Sequence, residues 1–162
     1  MTLTQERLKK ILHYNPDTGV FTRLESGKVA GTQKRGGGRK YNEVCVDGCK
    51  YFNHILVFIY MTGSPPKHHG DHINGDSFDN RWCNLRDVTL SENNKNKCRD
   101  KRNVSGVTGV HWSKKEKSWK SQINVNGKRI HTGYFKDLAE AAMERWEAEI
   151  EHGFHPNHGR SA

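Results

Sequence analysis

The stretch Asp71 to Asn96, DHINGDSFDNRWCNLRDVTLSENNKN, concentrates imidazole, carboxylate and amide side chains more densely than a solvated loop requires. Such residues hold a cation or work on a phosphate. An EF-hand is excluded: Asp71, Asn74, Asp76 and Asp79 are oxygen donors near a glycine, but the alternating Asp/Asn spacing and terminal glutamate of that loop are absent. An alternative is nuclease chemistry, in which a divalent ion polarises the scissile phosphate while a nearby imidazole takes a proton from the attacking water. It asks for Asp71 and His72 at a strand end, with a twist or bulge relaxing the opposite-face alternation of neighbouring side chains. Leu85 to Val88 reads as the returning strand, Ser91 as a helix cap, and Asn93 as a first-turn residue facing back toward Asp71.

Upstream, Leu3, Leu8, Ile11 and Leu12 predict a helix over Leu3 to His13, stopped by Asn15-Pro16-Asp17-Thr18-Gly19. Val20 to Leu24 and Tyr41 to Asn53 read as strands, the latter a hairpin through Asp47-Gly48. Between them, Lys34 to Lys40 reads as a flexible basic loop, either simply solvated or contacting phosphates through Lys34 and Arg35. His54 to Met61 predicts a buried helix ending at Gly63, and Pro65-Pro66 an extended entry to the central stretch. Downstream, Lys95 to Arg102 reads as a basic helix end with Arg99 and Lys101 facing phosphates, and Asn103 to Thr108 as a linker.

The chain has 27 Lys plus Arg against 18 Asp plus Glu, a formal charge of +9 that favours a polyanionic partner. Hydrophobic residues make up 33% and glycines number 16, which points to several thin cores. A membrane span is excluded, because the longest apolar run, Ile55 to Met61, is far too short. The polar N-terminal stretch carries no apolar signal segment, so the expected location is the cytoplasm, that of the host for a phage-encoded chain. Cys45, Cys49, Cys83 and Cys98 form no CxxC pair and read as reduced, half-buried thiols rather than a zinc site. A monomer is the default expectation.

The pattern DHINGDxxDNRxxNLRxVTxxENxxN resembles the H-N-H motif of phage and intron-encoded homing endonucleases, a ββα-metal fold. His72 and Asn84 stand twelve residues apart and Asn84 and Asn93 nine, and the His54 to Gly63 helix resembles the family's usual companion. The resemblance implies a DNA endonuclease leaving 5′-phosphate and 3′-hydroxyl ends. It makes His72 the general base, Asp71 the first metal ligand, Asn84 the brace that orients the histidine and Asn93 the final ligand. Many relatives carry His at that last position, so the chain looks like an H-N-N variant. Asp and Asn oxygens suit one Mg²⁺ or Mn²⁺ per active site better than Zn²⁺. His54, His68 and His69 stay open between phosphate-facing and structural roles, Arg86 between a phosphate and a local carboxylate, and Asp79 reads as a turn residue.

Beyond Gly109 the pattern changes to three short strands, Gly109 to Ser113, Trp119 to Val125 and Arg129 to Phe135, with Asn126-Gly127 as a turn. Asp137 caps a helix with Glu140 three residues on, and Leu138, Ala141, Ala142, Arg145 and Ile150 fall near one face. Alternation turns Val110, Trp112, Ile123, Val125 and Ile130 toward a core, and His111, Ser113, Lys120, Gln122, Asn124, Arg129 and His131 outward. GVxW, WxxQIxVNGKRIHxGYF and the EAA helix, over Ser105 to Gly153, resemble the plant ethylene-response-factor type of DNA-binding domain. That resemblance implies a sheet lying in the major groove of double-stranded DNA. His111, Gln122, Asn124 and His131 stand where plant members commonly carry Arg, Glu, Arg and Trp, so their target sequence does not transfer. Gln122 and Asn124 suit adenine edges, Arg129 a guanine, and Lys114, Lys115, Lys117 and Lys120 phosphates.

The expected fold is therefore α+β. Residues 1–66 support an H-N-H ββα-metal core at 67–102, a linker spans 103–108, a three-stranded antiparallel sheet packed on one helix spans 109–153, and 154–162 is a tail. The rival function is a non-catalytic, sequence-specific DNA-binding regulator with a decayed nuclease motif, against which the intact Asp71, His72, Asn84 and Asn93 count.

Overall fold

A computed structural model describes residues 3–36 and 39–161, with side chains for all of these except 34–36 and 39–40. The fold is α+β, in two compact units, Met1–Thr89 and Leu90–Ala162.

In the first unit the Thr4 hydroxyl accepts the Arg7 N–H at 3.2 Å and starts α1 (Gln5–Ile11). The helix stops short of the predicted His13, because Leu12 and Tyr14 are both buried and therefore follow a two-residue period. They form β1 (Leu12–Asn15), which pairs antiparallel with β2 (Val20–Arg23); the expected helix stop is a hairpin turn. A three-stranded sheet follows, ordered β3 (Thr32–Gly36), β4 (Arg39–Val46), β5 (Cys49–Phe52). Asp47 and Gly48 have φ of 49° and 77°, the left-handed pair that a tight hairpin turn needs.

The basic tract predicted as a flexible loop instead supplies backbone to both arms of the β3–β4 hairpin. Ladder hydrogen bonds outweigh the weak strand preference of its Lys, Arg and Gly residues. The phosphate-contact expectation for Lys34 and Arg35 lies outside the described side chains.

Helix α2 (Asn53–Thr62) ends on Gly63 at φ 86° and buries Leu56, Val57, Phe58 and Ile59. They pack with Leu8, Leu12, Tyr14, Phe21, Val44 and Val46 to form the unit's core. The chain then runs through β6 (His69–His72), a single 3₁₀ turn at Trp82–Asn84, and β7 (Leu85–Val88), the returning strand predicted from sequence.

The second unit opens with α3 (Leu90–Asn94). Ser91 lies inside this helix rather than capping it, and donates to Asn126 Oδ1 at 3.1 Å. The helix ends at Asn94, so Lys95 to Arg102 is not the basic helix end expected. It is irregular chain held by the C-terminal segment: His155 N–H donates to Lys95 O at 3.2 Å, Gly159 N–H to Lys97 O at 2.8 Å, and Arg99 N–H to Arg160 O at 2.9 Å. Arg160 Nη1 also donates to Asn96 O at 2.6 Å, and Asn96 is 2% exposed.

An antiparallel sheet follows, ordered β10 (Lys128–Phe135), β9 (Ser118–Val125), β8 (Val110–Ser113), with α4 (Leu138–Glu151) over β9 and β10. Asp137 caps α4 by accepting the Ala139 and Glu140 amides. The buried face of α4 is Ala141, Arg145 and Ala148, not Ile150. Ile150 sits two residues past Ala148, most of half a turn around the helix, and is exposed. Trp112 and Ile130, expected in the core, are also substantially exposed, because they lie toward the strand ends while α4 covers the centre at Ser121, which is fully buried.

The four cysteines are exposed and free, not half-buried. Among the described residues, no helix is long and apolar enough to cross a membrane.

Candidate active site

Strands β6 and β7 pair in register, Asp71 opposite Arg86 and His72 opposite Leu85. No bulge intervenes, so Asp71 and His72 start from opposite faces of the ribbon. What brings them to one end of it is that His72 is the final residue of β6.

His72 is 8% exposed. Its Nε2 lies 3.2 Å from Asn80 Oδ1, and the His54 ring meets it edge-on at 5.3 Å between centroids. Phe52 stacks on the other side of His54 at 5.7 Å. Burial lowers the His72 pKa, and the Asn80 hydrogen bond and the nearby Asp71, Asp76 and Asp79 oppose that only in part. The ring is therefore neutral near neutral pH. Burial and His72 together push His54 down to about 4, so it too is neutral. Asn80 Nδ2 donates to Phe78 O at 3.1 Å, which turns Oδ1 toward His72. With Oδ1 as the acceptor, Nε2 is the ring nitrogen that donates.

Asp71 is held by Arg86, whose Nε and Nη2 lie 3.0 and 2.9 Å from Asp71 Oδ2. Arg86 thus takes the carboxylate rather than the phosphate role left open by sequence. Asn84, 6% exposed, fastens the intervening loop by donating to Asp79 O at 2.7 Å and Asn74 Oδ1 at 3.0 Å while accepting from Asn74 N–H at 3.0 Å. Asp79 closes the loop through an ion pair with Arg81 at 2.6 Å, which holds its carboxyl well below the ordinary range.

The first hairpin anchors this loop. Tyr14 Oη donates to Asn80 O at 2.7 Å, and Trp82 N–H donates to Pro16 O at 3.1 Å. Gly19, at φ 73°, passes so near that a Cβ there would lie 2.5 Å from the Asn80 carbonyl carbon. Sequence reasoning missed Asn80, Tyr14 and the placement of His54, because only distant contacts give these residues their roles.

Asp71, His72 and Asn84 come together in the first unit, and Asn93 lies half-buried in α3 of the second. Among the described residues there is no group of three His, Cys, Asp or Glu poised around a metal.

The HNH endonuclease family profile matches residues 51–95, from β5 through α3. Over 88 residues the chain is 35% identical to Protein 3.8 of Escherichia phage T7, covering 54% of this chain and 72% of the phage protein. The chain belongs to the HNH endonuclease family. No solved structure matches it. HNH nucleases act on nucleic acid and generally use a divalent metal ion. The HNH span contains the His72, Asn80 and Asn84 cluster and Asn93, and it stops short of the C-terminal sheet.

Outside the HNH span, register rather than alternation alone defines the outward face of that sheet: Arg129 pairs with Asn124, His131 with Gln122, and His111 with Lys120. Tyr134, opposite Lys120, joins this row with its ring 4.5 Å from His131 and is 49% exposed. Ser113 stands opposite Ser118 at the sheet end, beside exposed Lys114. Lys101 is exposed, whereas the Arg99 guanidinium is occupied by Gly106 O.

Proposed function

We propose that this HNH protein is a metal-dependent DNA endonuclease in which His72 is the general base and Asp71 and Asn93 hold one divalent ion. The observation that carries the reading is the buried, neutral His72, fixed through Nε2 by Asn80 next to Asp71. A neutral imidazole takes a proton from water, the water oxygen attacks phosphorus as the bond to the 3′-oxygen breaks, and the leaving 3′-oxygen takes up a proton from solvent. The products are a 5′-phosphate and a 3′-hydroxyl.

The residues fit a hard cation. Asp71 and Asn93 would offer oxygen donors of the kind that a hard cation such as Mg²⁺ or Mn²⁺ accepts. When bound, the ion supplies polarisation of the phosphate and charge for the leaving oxygen. Arg86 keeps the Asp71 carboxylate oriented, and Asn84 keeps the loop beneath His72 closed.

The second unit reads double-stranded DNA through the outward row of its sheet, a reading supported by the basic and amide character of His111, Lys120, Gln122, Asn124, Arg129 and His131. Lys114, Lys101 and Ser113 flank it for phosphate contact.

Incubation of supercoiled plasmid with Mg²⁺ or with EDTA, for the natural protein and His72→Ala, tests the reading. The natural protein relaxes or linearises plasmid only with Mg²⁺, and the variant binds DNA without cutting. Cutting by His72→Ala at the natural rate overturns the assignment, and binding without cutting by the natural protein makes it a regulator.

A further inference from the structure

The second unit contains a cavity of about 660 Å³ between α3 and the end of the sheet where β9 runs on past the start of β8. Arg145, Thr108 and His158 form part of its wall. Arg145 is 3% exposed and the His158 side chain 7%. Arg145 Nε and Nη1 and Thr108 Oγ1 are buried and carry no hydrogen bond, while His158 Nε2 lies 3.8 Å from Glu149 Oε1. Arg145 Nη1 lies 2.9 Å from Glu149 Oε1, near enough for an ion pair but without the direction of a hydrogen bond. Buried polar groups are almost always satisfied, so several orphans beside one cavity call for a ligand that satisfies them.

The other walls indicate what that ligand is. Lys97 is an exposed cation at the rim, and the Lys95 ammonium lies 5.5 Å from the Phe154 ring centre. Against the single Glu149 carboxylate the three cations leave an excess of positive charge, with His158 held neutral by burial. Leu90, which is largely exposed, and Phe154 provide apolar surface for a flat ring. The space exceeds what inorganic phosphate needs. Gly109 lines the same wall at φ 83°, and a Cβ there would come 2.5 Å from Arg145 Nε, so the absent side chain is what admits the guanidinium.

We propose that this cavity binds a nucleoside phosphate, its phosphate on Arg145, Thr108 and Lys97 and its base against Leu90 and Phe154. The residue comes either from a free nucleotide or from one turned out of a DNA strand. Only the second source rests on the DNA-binding reading above.

The test uses the full chain in EDTA, where no cleavage is required, so its outcome is separate from that of the nuclease assay. Calorimetry with the four deoxynucleoside monophosphates, inorganic phosphate and an unphosphorylated nucleoside comes first. Fluorescence of 2-aminopurine placed at successive positions of a duplex comes second. The expected result is saturable binding of at least one monophosphate, tighter than phosphate or nucleoside alone, or a rise in 2-aminopurine fluorescence; the former assigns a free nucleotide, the latter an extruded one. Lys97→Glu, at the exposed rim, weakens the signal about tenfold. Arg145→Lys, which keeps the charge but lacks Nε, weakens it further if the variant folds. The proposal is overturned if neither signal appears, if phosphate alone binds as well as every monophosphate, or if Lys97→Glu leaves the signal unchanged.

Discussion

Asn80 Oδ1 lies 3.2 Å from His72 Nε2, and the same residue's backbone carbonyl accepts the Tyr14 hydroxyl at 2.7 Å. One asparagine, 1% exposed, thus joins the proposed catalytic imidazole to the N-terminal hairpin. Asn80→Ala removes the partner that sets the His72 tautomer. Single-turnover cleavage is expected to fall about ten- to a hundredfold, while DNA affinity in EDTA stays within about twofold. An unchanged cleavage rate in a folded Asn80→Ala protein would show that the histidine needs no such orientation.

The depressed His72 pKa sets the acid limb of cleavage. Because burial favours the neutral ring, activity persists as pH falls below the ordinary imidazole value of about 6.5, and is lost only as His72 takes up its proton. The Asn80 hydrogen bond raises that pKa, so its loss moves the limb further toward acid. A pH profile of kcat/KM for the natural protein and Asn80→Ala checks both directions.

His54 couples stability to pH with a definite sign. It is neutral when folded, with a pKa of about 4, whereas the unfolded chain protonates it near 6.5. The stability it contributes is present above about 6.5 and is lost as pH falls toward 4. Between pH 7 and pH 5 that loss is about 2 kcal/mol. Urea unfolding at the two pH values should show a correspondingly smaller difference in His54→Gln.

Tyr14→Phe deletes one buried hydroxyl and leaves Asn80 O without its side-chain donor. A loss of about 1–3 kcal/mol in unfolding free energy is expected, together with slower cleavage as the loop beneath His72 loosens. Stability loss with cleavage unchanged at a temperature where the variant is folded would separate the hairpin from the site.

Cutting and reading should come apart by mutation. Arg129→Ala, in the outward row of the C-terminal sheet, should weaken binding by about 1–3 kcal/mol and relax sequence preference, yet leave the metal dependence of cleavage untouched. Footprinting and plasmid cleavage on the same protein measure the two separately.

The parts of this fold legible in the sequence were those with local signatures. The Leu85 to Val88 strand, the Asp47-Gly48 and Asn126-Gly127 turns and the Asp137 cap each announce themselves within a few residues. The β3–β4 hairpin was hidden because Lys, Arg and Gly mimic a loop until a partner strand supplies hydrogen bonds. Asn80 was hidden for a related reason: its hydroxyl partner is 66 residues away, and one more amide in a run of turn residues carries no mark. Ile150, Trp112 and Ile130 were misassigned because hydropathy shows which residues prefer burial but not how far a fourteen-residue helix reaches across a sheet.

The contacts of Arg160 with Asn96 span 64 residues. Helix α3, only five residues long, is too short to persist alone, and the chain just beyond it is tied to the C-terminal segment through Asn96. A loop of that length is slow to close and adds little entropy for each further residue. The carrier of Asn93 should therefore be among the last parts of the second unit to fold and the first to exchange its amide protons.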